Sequence, residues 1–232
     1  MDELQVHHVT HSPTSVVQII SKTINLINHV VIGLVAVYMT WISAKAEAKP
    51  MTWHAWSCTF GYQVLMIEGI MTLLPQNIWS AKYETQTKRT IHWILQTVGS
   101  LLALSGMVVE YVNYRGKHFA TNHAIVGLIS GVFLMIGLCN GCLALWSIEL
   151  RKMFRPVVLK CLHNFIGVTA VVLGIVSLYY GYEKKFMVRN SNKDVQMALK
   201  VVAIVTIIFS LTGPMQSMYR QVKIILFNNS II

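Results

Sequence analysis

Residues 91–112 read IHWILQTVGSLLALSGMVVEYV, a histidine and a tryptophan followed by an apolar run whose one acidic residue is Glu110. As a helix rising 1.5 Å per residue, this stretch is long enough to cross a hydrocarbon core of about 30 Å. Tryptophan favours the boundary between membrane and water, so Trp93 sets His92 at a shallow depth near the headgroups. Five more stretches have the same form, near 24–44, 53–74, 122–146, 157–181 and 197–219. The expected fold is an all-α membrane protein of six transmembrane helices.

Composition excludes a soluble domain. Of 232 residues 54% are hydrophobic and 12% are charged, far too apolar for a water-facing surface of this size. The net charge of +10 is scattered through short connecting loops, which argues against nucleic acid as a partner. Lys and Arg divide ten to nine between the side holding both termini and the other side, so the positive-inside rule scarcely orients the chain. Lys88-Arg89 and the group Arg151, Lys152 and Arg155 favour cytosolic termini, whereas Lys184, Lys185, Arg189 and Lys193 argue the other way. The chain starts Met1-Asp2-Glu3 without a basic leader, and the first span is expected to be retained. Residues 1–20, with His7, His8 and His11, read as a polar tail with no assigned function, 21–222 as the membrane domain, and 223–232 as a short C-terminal tail.

Each of the four central spans carries a histidine near its start: His54, His92, His123 and His163. Successive helices cross in opposite directions, so His54 and His123 share one face of the membrane and His92 and His163 the other. Two pairs result, each able to ligate one metal centre, and the core is a four-helix bundle flanked by the first and sixth spans. At 100° per residue, positions +4, +7 and +8 return to the face of the starting residue. Gly61, Gly99, Gly127, Gly131 and Gly167 occupy such positions after the four histidines. Glycine there leaves room for a flat macrocycle, although small residues also serve helix packing. Two histidines per haem iron leave no open coordination position, which favours electron transfer over oxygen chemistry.

Other polar residues are less decisive. Glu68 lies fourteen residues after His54 and nearly in phase with it; it reads either as an acceptor for a ligand N–H or a proton handler, or as a partner of a loop lysine such as Lys82. His29 reads as an interfacial histidine satisfied by its surroundings. Cys139 and Cys142 have redox-motif spacing, but in a membrane helix they read as small packing residues, and no histidine follows Cys142 as covalent haem attachment requires. Basic residues flank the mouths of the sites: Lys88 and Arg89 beside His92, Arg155 before His163, and Lys117 and His118 before His123. They suit haem propionates or an anionic reactant.

Six spans, a histidine opening each of the four central ones, His92-Trp93 in the third, and the run Gly116-Lys117-His118-Phe119-Ala120-Thr121-Asn122-His123 resemble the cytochrome b561 family. The resemblance implies two non-covalent b-type haems, ligated by His54 with His123 and by His92 with His163. It implies electron passage from cytosolic ascorbate to monodehydroascorbate or ferric chelates on the opposite side, both termini being cytosolic. Lys88 and Arg89 are then the donor-side substrate contacts, and Lys117 and His118 those on the acceptor side. An endomembrane, vesicle or endoplasmic reticulum, is the expected location, with the lipid bilayer and a second copy in a homodimer as partners. A haem-free multi-pass transporter, using the histidines to relay metal ions or protons, is the alternative reading.

Overall fold

The computed structural model describes residues 16–227, and those described residues form helices and connecting turns without a β-strand. The tail histidines His7, His8 and His11 lie outside the described residues. Helix α1 spans Val16–Lys45. A composite helix follows, made of α2 (Pro50–Thr59), a π-helical segment (Phe60–Met66) and α3 (Ile67–Thr72). Then come α4 (Thr85–Asn113), α5 (Asn122–Leu145), a 3-10 turn at Glu149–Lys152 and α6 (Pro156–Gly181). The short α7 (Lys185–Asn190), α8 (Lys193–Ser210) and α9 (Thr212–Phe227) complete the described chain.

The boundaries have local causes. Pro50 and Pro156 open α2 and α6, where a missing N–H costs nothing because the first turn has no acceptor for it. Thr121 and Asn192 cap α5 and α8 by accepting from the amides of Ala124 and Val195. The second expected span is helical but not uniform, since its middle is π-helical, and it is not among the helices long and apolar enough to cross a membrane. The sixth, read as a single run over 197–219, divides at Leu211 into α8 and α9. Pro214 explains the division, because its ring excludes the carbonyl one turn back.

Five helices, counting α8 with α9 as one, are long and apolar enough to cross a membrane among the described residues. The composite helix α2 to α3 packs along α4, and α5 packs along α6. Helices α1 and α8 pack together and against these two pairs, while α9 lies on α6. Polarity is inverted relative to a water-soluble fold. Leu101, Val108, Leu128 and Val201 face outward, whereas Gln63, Asn28, Ser130 and Thr206 are buried. Such an outer surface suits hydrocarbon, and inside it Asn28 bonds Ser210, Gln63 accepts from Tyr182 and Ser130 meets Tyr62, each a contact between separate elements.

Candidate functional site

The four histidines come together as two pairs. The rings of His54 and His123 lie 5.8 Å apart between centroids, at 81° to each other. Those of His92 and His163 lie 6.4 Å apart at 90°. The first pair joins α2 to α5 and the second α4 to α6, so each pair ties one helix pair to the other.

A backbone carbonyl stands behind each ring and bonds three of the four. His54 Nδ1 donates to the Gly106 carbonyl at 3.1 Å, His92 Nδ1 to Gly69 at 2.8 Å, and His123 Nδ1 to Ser177 at 2.8 Å. His163 turns the same nitrogen toward the Gly137 carbonyl without reaching hydrogen-bond geometry. A carbonyl only accepts, so Nδ1 carries the proton in the three bonded rings and Nε2 keeps its lone pair. That is the tautomer a metal-ligating histidine needs. Among the described residues no group of three or more His, Cys, Asp or Glu is placed to hold a metal ion. Two facing imidazoles are too few for a bare ion and suited to a group that brings its own equatorial ligands.

Three of the four contacts share one spacing. Gly106 lies fourteen residues after His92, Gly137 fourteen after His123, and Ser177 fourteen after His163. Each helix therefore presents a histidine at one end and, four turns on, a carbonyl for the histidine of its antiparallel neighbour. The composite helix needs fifteen residues, from His54 to Gly69. The π-helical segment lies between them, and its i→i+5 bonding absorbs the additional residue. In α4 this spacing sets the two centres about 21 Å apart along the bundle at 1.5 Å per residue.

Gly167 has open space beside it, as the sequence reading expects, but two of the other glycines act differently. Gly61 and Gly99 do not open space beside their own histidines; they face each other, and a Cβ on Gly61 would stand 2.5 Å from the Gly99 carbonyl. Gly127 faces Ser177 and Gly131 faces Met107, while Gly167 has nothing within 4 Å. The close approach of the helices requires the first two. Gly141 and Gly181 are the glycines that touch histidines: a Cβ would lie 3.2 Å from the His163 ring and 3.1 Å from that of His123. Reading each helix against its own histidine missed them, because they serve the ring on the neighbouring helix.

Glu68 turns away from the ligand rings. It accepts from His29 Nδ1 at 2.7 Å and from the Trp79 indole at 3.3 Å, so its partner is neither a ligand N–H nor Lys82. The next peptide, at Gly69, is the one that holds His92. Among the basic residues, Lys88 is half-buried with its Nζ 3.4 Å from the Leu74 carbonyl, and Arg89 is exposed one residue on. Lys117 is exposed, while His118 packs among Tyr111, Tyr114 and Phe119. Cys139 and Cys142 are free thiols on the exposed side of α5.

Comparison with known proteins supplies relatives and a family. The chain is similar to transmembrane reductase CYB561D2 of mouse (Mus musculus), with 27% identity over 144 residues, covering 60% of this chain and 64% of that protein. The human (Homo sapiens) and cattle (Bos taurus) proteins of the same name match at 27% and 28% over the same shares. The match thus spans a little under two thirds of the length of these relatives. No solved structure matches the chain. The family model for eukaryotic cytochrome b561 matches residues 53–189, more than half of the chain and the whole of the region that carries the four paired histidines. The chain belongs to the eukaryotic cytochrome b561 family, a membrane bundle of helices.

Proposed function

We propose that this protein carries electrons across a membrane through two b-type haems, non-covalently bound, one between His54 and His123 and one between His92 and His163. The observation that carries the reading is the pair of facing imidazole couples, at 5.8 and 6.4 Å, in a bundle whose outer face is apolar. Haem iron, which His54 with His123 and His92 with His163 would hold, would supply a one-electron couple. The residues of the chain do the rest. Gly106, Gly69 and Ser177 fix ring orientation and tautomer through their carbonyls, which raises the basicity of the opposite nitrogen. In this reading α2 to α3 counts as the second of six spans, so both termini belong on the side of His92 and His163, the cytosolic side.

Ascorbate is the proposed donor on that side and monodehydroascorbate or a ferric chelate the acceptor on the other. The relatives are named transmembrane reductases, which supports a reductase activity here. Lys88 and Arg89 are the proposed contacts for the anionic donor, and Lys117 and His118 for the acceptor. An endomembrane location and a homodimer belong to the same proposal. The haem-free transporter is the second reading, and the lack of any group of three metal-binding side chains among the described residues favours it less.

The reduced-minus-oxidised visible spectrum of the purified protein, quantified as haem per chain with ascorbate as the only reductant, tests the proposal. Two haems reduced by ascorbate are expected, and His163→Ala is expected to remove one signal. Two haems reduced by dithionite alone would discard the donor; none would return the weight to the transporter.

A further inference from the structure

A layer of five residues lies halfway between the two histidine centres. On α4, Gly99 stands seven residues from both His92 and Gly106. On α5, Ser130 stands seven from both His123 and Gly137, and on α6 Ala170 stands seven from both His163 and Ser177. Gly61 and Tyr62 are the two middle residues between His54 and Gly69 on the composite helix. These residues meet. Gly61 lies against Gly99, and the Ser130 hydroxyl lies 2.8 Å from the Tyr62 hydroxyl and 2.7 Å from the Ala170 carbonyl. Having one hydrogen, Ser130 gives it to Ala170 and accepts from Tyr62.

Four of the five are Gly, Ser or Ala, so Tyr62 is the one large side chain of the layer. It is 2% exposed, and its ring occupies the space over Gly174, where a Cβ would stand 2.2 Å away. It is also carried on the π-helical segment, a geometry often found at functional positions. Its ring crosses from the α2 to α4 side of the bundle to the α5 to α6 side.

We infer that Tyr62 is a positioning residue for electron passage, its ring being the packed matter that couples the two histidine centres. The inference rests on the function proposed above. An electron tunnels less readily across empty gaps than through closely packed atoms, and without this ring the space it fills over Gly174 would be lost as packed matter between the helix pairs. No bond is made or broken at Tyr62. One centre loses an electron as the other gains it, and the ring stays neutral. Its hydroxyl keeps its proton, since the chain of hydrogen bonds ends on the Ala170 carbonyl, which is not a base.

The test compares wild type, Tyr62→Phe, Tyr62→Leu and Tyr62→Met after one centre is reduced by a light pulse. The readouts are the rate of equilibration between the centres, haem per chain, and the midpoint potential of each centre. Phe is expected to keep the wild-type rate; Leu and Met are expected to slow it several-fold with both potentials unchanged. An unchanged rate in either variant that holds two haems overturns the inference, as does loss of haem from both aliphatic variants while Phe keeps it, because Tyr62 would then be structural only. Absence of two haems in the wild type would instead refute the function proposed above.

Discussion

Imidazole orientation at each centre depends on contacts that are made by the neighbouring helix. Gly141 and Gly181 illustrate this, since each stands against the ring of a histidine on the other member of the α5 and α6 pair. A larger side chain must push that ring. Gly141→Leu is expected to disturb the spectrum and potential of the His92 and His163 centre alone, and Gly181→Leu that of the His54 and His123 centre alone. Each costs roughly 1–3 kcal/mol of stability, the usual range for overpacking; spectra resolved by redox titration check the selectivity, and equal disturbance of both centres would refute it. The four histidines were legible in sequence because an ionisable residue at the mouth of an apolar span is conspicuous. The two glycines were not, because nothing in α5 alone says which residue of α6 faces its histidine.

At the scale of the element, the π-helical segment keeps register. The composite helix takes fifteen residues to cover what α4, α5 and α6 cover in fourteen, and the segment Phe60–Met66 takes up the difference. Removing one residue there restores the common spacing, whereas removing one from α4 turns Gly106 by about 100° relative to His92. Deletion of Val64 is therefore expected to preserve both centres, and deletion of Leu101 to abolish at least one. Haem per chain in the two deletion variants measures this. A periodicity reading of 53–74 found the helix and its histidine, but an additional residue within an apolar run leaves no mark in hydropathy.

For the molecule as a whole, α1 is attached to the bundle by polar contacts beneath an apolar exterior. His29 bonds Glu68, Asn28 reaches Ser210, and Asn25 accepts from the amide of Ile78. The His29 and Glu68 side chains are only 12% and 20% exposed, so removing one leaves the other poorly solvated. Glu68→Leu is expected to lower stability by roughly 1–3 kcal/mol, the cost of an unsatisfied buried group. Thermal unfolding in detergent checks it, and the two histidine centres should remain in the folded fraction. From sequence, Glu68 had a ligand histidine or Lys82 as candidate partners, because positions on one helix can be phased against each other but not against α1.

Sequence by itself determined the helical class, the apolar exterior and, through the alternation of helix direction, which of the four histidines share an end of the bundle. Those properties follow from the hydropathy and helical repeat of each segment taken alone. Tertiary structure decided which carbonyl holds each ring, which glycines admit a neighbouring helix or imidazole, where Glu68 finds its partner, and that Tyr62 fills the layer between the centres. These depend on axial register between helices distant in the chain, which is set by close packing at contacts such as Gly61 with Gly99 and shifted by a single π-helical turn.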